Sequence, residues 1–74
     1  MNTRGIYTRE GEMLGYLEGT RIYDLQGNQT GVVEGRIIYD LQGKQQWKID
    51  GDALLDVHGQ VIGYLGESVS RDLL

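Results

Sequence analysis

Seventy-four residues carry eleven acids against seven bases, a formal net charge of −4, one His, no Pro and no Cys. A chain this short makes one domain at most, here 1–74, and the missing Cys excludes disulfides, thiolate metal sites and thiol catalysis. The bases (Arg4, Arg9, Arg21, Arg36, Lys44, Lys48, Arg71) are scattered, so no basic run follows a phosphate backbone, and no apolar stretch is long enough to cross a bilayer.

The opening MNTRG has no apolar run of the kind that marks a secretory leader. A cytoplasmic protein is expected, although a chain from which a leader has been removed reads the same. From residue 6 the sequence repeats with a period of sixteen. The copies are IYTREGEMLGYLEGTR (6–21), IYDLQGNQTGVVEGRI (22–37), IYDLQGKQQWKIDGDA (38–53) and LLDVHGQVIGYLGESV (54–69). The first copy has Thr8-Arg9 for Asp-Leu. The third has Trp47 where the others have Gly. The fourth has Leu55 for Tyr, and its Gly66 comes one residue early.

A shorter beat runs inside the repeat. Gly11, Gly19, Gly27, Gly35, Gly43, Gly51 and Gly59 stand eight apart. In a helix interior each would cost about 1 kcal/mol. Between them lie segments rich in Ile, Val, Leu and Tyr, of typical strand length. The prediction is all-β: an antiparallel meander of about eight short strands from four hairpin repeats, curled into a strongly twisted sheet or small barrel.

The residue before each Gly is Glu10, Glu18, Gln26, Glu34, Gln42, Asp50 or His58. A type I′ turn over that dipeptide needs positive φ at both positions, which only Asp50 suits. A type I turn followed by a Gly bulge needs it at Gly alone and accepts Asp first. Asp24, Asp40 and Asp56 stand three residues before Gly27, Gly43 and Gly59, so bulged turns are predicted there. The choice shifts the register by one residue, which would move every side chain to the other face.

Gly15, Gly31 and Gly63 fall mid-strand. On a two-residue-turn register, Gly15, Gly31 and Trp47 face Ile22 and Ile38. Such a row lets a sheet bend sharply. The alternative is a ligand lying over the glycines.

Chemistry-bearing constellations are few. Asp24, Asp40 and Asp56 lie about 9.5 Å apart on successive hairpins, too far to share one ion, and read as turn caps. Asp50, Asp52, Asp56 and His58 suggest a metal site, but Asp52 and Asp56 sit about 13 Å apart along a strand. Ser68 and Ser70 have no second His and no nucleophile elbow. No metal, cofactor or catalytic set is assigned, and an enzyme is not expected. Tyr7, Tyr23 and Tyr39 recur at period sixteen, as do Tyr16 and Tyr64 at another position. They suit a half-buried face or interface, or a platform for sugars or amines. Trp47, unique in the repeat, is the best candidate for a special contact.

The tail falls outside the pattern, with the last copy ending at Val69. Ser68 is placed as the cap of a short helical turn, with Val69 and Leu73 one turn apart, covering a sheet edge or barrel end.

The pattern I-Y-D-x-x-G-x-x-x-G-Y-x-x-G resembles tandem-repeat β-hairpin domains of small bacterial proteins of unknown function. More distantly it is similar to aromatic-rich cell-wall and choline-binding repeats. Those are longer and carry paired Trp and Tyr per hairpin, whereas this chain has one Trp, so no ligand residue carries over. The resemblance implies hairpin repeats.

A small core without disulfides needs help, and self-association is the expected source. The functional expectation is a structural or interaction module that pairs with itself or a protein partner, with no nucleic-acid or membrane partner. A small-ligand or glycan-binding module using the Tyr rows is the alternative.

Overall fold

The computed structural model describes residues 2–67 and 69–70. The strands are β1 (Asn2–Thr8), β2 (Met13–Glu18), β3 (Arg21–Asp24), β4 (Gln29–Glu34), β5 (Ile37–Asp40), β6 (Gln45–Asp50), β7 (Ala53–Leu55), β8 (Val61–Leu65) and β9 (Val69–Ser70). Strands β2 to β8 form the meander, each antiparallel to the next. Strand β1 pairs with β2 on one side and with β8 on the other, so the sheet closes into an eight-stranded barrel. Strand β9 pairs with the first residues of β1, Thr3↔Val69 and Asn2↔Ser70. The helical turn expected in the tail is therefore corrected at Val69 and Ser70: backbone groups of β1 beyond the reach of β8 take up strand partners instead. Ser68 and residues 71–74 lie outside the described residues.

Two kinds of corner alternate, one at each end of the barrel. At Thr8, Asp24, Asp40 and Asp56 the chain makes the bulged turn the Asp spacing predicts. The amide of Gly27 donates to the Asp24 carbonyl at 3.1 Å, and Asp24 N–H donates to Asn28 O at 2.9 Å. Gly27 has φ +89°. The opposite corners differ from the dipeptide reading. The pairs Glu18↔Arg21, Glu34↔Ile37 and Asp50↔Ala53 leave Gly19-Thr20, Gly35-Arg36 and Gly51-Asp52 as the loops. Gly is thus first, not second. Its φ is near +60° while no non-Gly residue has positive φ, the signature of a type II′ hairpin. Glu18 and its equivalents end strands and never have to adopt the left-handed conformation.

The second strand of each bulged hairpin carries one further extra residue. Ile22 pairs with Gly31 and Tyr23 with Gln29, so Thr30 is unmatched. Leu14, Gln46 and Ile62 are skipped in the same way. A bulge adds bend and local twist, and four of them, one per repeat, curl an eight-stranded sheet tightly enough to close.

The core follows from strand alternation. Ile6, Ile22, Ile38 and Leu54 open the four copies and form a buried inner ring. Leu65 is also buried, and Leu17, Val33 and Ile49, at the matching positions of the other copies, pack against that ring. An eight-stranded barrel is just wide enough for side chains to fill it.

The mid-strand glycines lie where the wall leaves no room. Gly31 faces Ile22 and Trp47 faces Ile38, as expected, but Gly15 faces Ile6. A Cβ on Gly31 would come within 2.6 Å of the Tyr39 carbonyl, and those on Gly15 and Gly63 would collide with the carbonyls of Tyr23 and Tyr7. Trp47 shows what a side chain there does to the sheet. Gly15 and Gly31 pair with Asp24 and Asp40, whereas β6 and β7 pair only from Lys48↔Leu55 onward. The ladder stops one residue short, and β7 is one residue shorter than β3 and β5.

Gly31→Ala is expected to destabilise the protein by about 1–3 kcal/mol through this clash. At Gly35 an added Cβ meets nothing within 4 Å, so Gly35→Ala carries only the left-handed backbone penalty of about 1–2 kcal/mol. Ile38→Ala removes a fully buried member of the ring and is expected to cost about 2–5 kcal/mol. Urea titration of the three variants checks this order.

Candidate functional site

The outward positions of the strands hold the tyrosines. Inner residues Ile6, Gly15, Leu17, Ile22, Gly63 and Leu65 alternate with Tyr7, Tyr16, Tyr23 and Tyr64, which therefore point out. Tyr64 lies directly opposite Tyr7, and Tyr16 opposite Tyr23. The Tyr16 and Tyr23 rings stack at 5.3 Å between centroids and 21° between planes. Gly5 joins the two pairs. It lies opposite Tyr16, and the Tyr7 ring folds over it: a Cβ on Gly5 would sit 2.7 Å from the Tyr7 hydroxyl oxygen. The same ring covers Gly66, where a Cβ would lie 2.9 Å from Tyr7 Cε2. Four tyrosines thus form one band across the adjacent strands β8, β1, β2 and β3.

Elsewhere around the wall the equivalent positions carry Val32 opposite Tyr39 and Lys48 opposite Leu55. The structure therefore brings together Tyr7, Tyr16, Tyr23 and Tyr64. It leaves Tyr39 on the far side and puts Trp47 inside the barrel mouth, packed against the core.

The seam of the barrel is held beside this band. Arg4 Nε donates to the Gly66 carbonyl at 2.7 Å, and its Nη2 donates to Asp52 Oδ1 at 2.6 Å. Asp52 lies in the loop between β6 and β7, so one side chain ties the first strand to the third and fourth copies.

At the bulged-turn end the aspartates act on their own turns. Asp24 Oδ1 accepts from the amides of Gln26 and Asn28, each at 2.9 Å. Asp40 Oδ1 accepts from Gln42 and Lys44, and Asp56 Oδ1 from His58 and Gln60. In the first copy the Thr8 hydroxyl takes the role, accepting from Glu12 N–H at 3.1 Å. The exposed His58 is part of such a turn through its backbone amide. Among the described residues no three His, Asp or Glu side chains come close enough to hold a metal ion together.

The same end presents features that the sequence reading missed. Leu25, Leu41 and Val57 occupy the first central position of their turns and are 56%, 62% and 62% exposed. Their signal was the turn type, since that position projects into solvent. Inside this rim is a cavity of about 140 Å³. Its floor is Ile6, Ile22 and Ile38, and its walls include Gly15, Gly31 and Trp47.

The geometry defines a class: a closed β-barrel of four hairpin repeats with pseudo-fourfold symmetry. The model of a family described as the 4-fold beta flower protein matches residues 1–51, and the chain belongs to that family. The match ends inside the third copy, and the fourth closes the same barrel. No curated protein and no solved structure matches the chain.

Charge sets the acid response of the turns. The Asn28 amide holds the Asp24 carboxyl below its ordinary value of 3.8, opposed next by desolvation, with the Gln26 amide adding to the lowering. The Gln60 amide does the same for Asp56, with His58 contributing. A lowered folded-state pKa gives stability that is complete above the unfolded value and lost as pH falls through the folded one. Acid is therefore expected to lower Tm progressively below about pH 4. The double variant Asp24→Asn, Asp56→Asn is expected to have a lower Tm at neutral pH and a flatter acid limb. Thermal melts by circular dichroism from about pH 6 to about pH 2 check both.

Proposed function

We propose that this protein is a non-enzymatic interaction module that associates with a second copy of itself, or with another protein, through its tyrosine wall. The observation that carries the reading is the continuous band Tyr64–Tyr7–Tyr16–Tyr23 on four adjacent strands. Tyrosines supply large, rigid, amphipathic contact area and are enriched at the centres of interfaces. Closure of the barrel adds weight to a face rather than an edge, because each strand from β2 to β8 already has a partner on both sides. Association by adding a strand to a sheet edge therefore has no free edge along these strands. A second copy suits the size of the chain, since small cores commonly gain stability by oligomerising.

A second reading is a glycan- or small-ligand-binding wall. It draws on the near-parallel Tyr16–Tyr23 stack, a flat aromatic surface of the kind sugars lie on, and on the distant likeness to cell-wall and choline-binding repeats.

Sedimentation equilibrium at about 10–100 µM separates these readings. Self-association predicts a mass at or above twice 8.3 kDa. It also predicts that Tyr16→Ser with Tyr64→Ser returns the protein to a monomer without loss of its β circular-dichroism spectrum. A wild-type monomer across that range contradicts self-association. If soluble glycans then produce saturable shifts at Tyr16 and Tyr23 in that monomer, the second reading holds.

A further inference from the structure

The cavity at the bulged-turn end touches the tyrosine wall at Tyr23 and is otherwise lined by residues outside that wall. Three features make it a built recess rather than a packing defect. Its floor is the buried Ile6, Ile22 and Ile38 of three copies. Two of its walls are Gly15 and Gly31, which cannot carry a side chain without striking the neighbouring strand. Its third wall is Trp47, in the one copy where the ladder opens by a residue to admit an indole. A volume near 150 Å³ is enough for a benzene-sized guest, and this recess is about 140 Å³.

The rim is polar on one side. Asp24, Thr30 and Gln46 line it. Asp24 Oδ1 accepts from two backbone amides, whereas Oδ2, among the described residues, takes a long 3.4 Å contact from the Asn28 side-chain amide. A carboxylate oxygen with acceptor capacity to spare therefore stands beside an apolar recess.

We infer that the barrel mouth is a binding site for a small molecule with one aromatic ring and a cationic hydrogen-bond donor, such as an arylalkylamine. The ring enters over the three isoleucines against Trp47, and the ammonium stays at the rim on Asp24. Aromatic stacking and ion pairing then act at opposite ends of one ligand, and an anionic substituent is repelled. The turn-tip residues Leu25 and Leu41 flank the entrance in sequence and are exposed, so no described segment of the chain closes over them.

Benzylamine titrated into the isotope-labelled full chain, followed by amide and indole NMR shifts, tests this. Saturable shifts are expected at Gly15, Gly31 and the Trp47 indole N–H, with a Kd of roughly millimolar for so small a ligand. Asp24→Asn keeps the acceptor that caps the turn and is expected to weaken benzylamine about tenfold, the loss of one modest ion pair. Thr30→Phe fills the recess and is expected to abolish the shifts while the β spectrum persists. Benzoate is expected not to bind. Unsaturable shifts, equal affinity for benzoate, unchanged affinity in Asp24→Asn, or shifts confined to Tyr7, Tyr16 and Tyr64 would each overturn the inference.

Discussion

The barrel depends on one steric constraint: at one inward position in three of the four repeats the neighbouring strand comes so close that a Cβ has no space. At Gly15, Gly31 and Gly63 the obstacle is a backbone carbonyl, not a side chain that can rotate away. That proximity follows from the extra residue each second strand carries at Leu14, Thr30, Gln46 and Ile62, because a bulge tightens the coil of the sheet. Tight coiling lets eight strands close around a core of only two rings of aliphatic side chains. Closure in turn satisfies the edges that a short open meander would expose.

Symmetry explains the shape, and the proposed contacts lie where the chain departs from it. Three copies obey the Gly rule and one breaks it with Trp47, which shortens β7 and walls a recess. Outside, Tyr64, Tyr7, Tyr16 and Tyr23 fill one side, whereas the same positions on the opposite side hold Val32, Tyr39, Lys48 and Leu55. The two asymmetries are where the proposed binding surfaces lie. Both sit on a scaffold whose turns are held locally by aspartate and threonine caps, leaving the wall and the mouth free to vary.

Much of this was legible from residues alone. The eightfold glycine beat marked every corner, and Asp24, Asp40 and Asp56 identified which corners were bulged. The type II′ corners were placed one residue off because Glu18, Glu34 and Asp50 were read into the loops instead of at the ends of their strands. The Thr30-type bulges were invisible, since an unmatched residue leaves no composition signal and depends on which strands finally meet. Closure was foreseen only as one of two outcomes: Asn2–Thr8 carries partners on both sides, a fact about residues far apart in sequence. The tyrosine band was hidden for the same reason, because Tyr64 and Tyr7 meet only when the first and last copies join. The strand at Val69–Ser70 was misread as a helical turn because its partner, Asn2–Thr3, lies at the other end of the chain.

Closure is tested most directly by through-space proton contacts on both sides of β1. The account predicts a strong cross-strand contact between Tyr7 and Tyr64, together with one between Gly5 and Tyr16, in the same protein under the same conditions. Contacts to β2 alone, with Tyr7 and Tyr64 beyond detection, would mean an open sheet and contradict it.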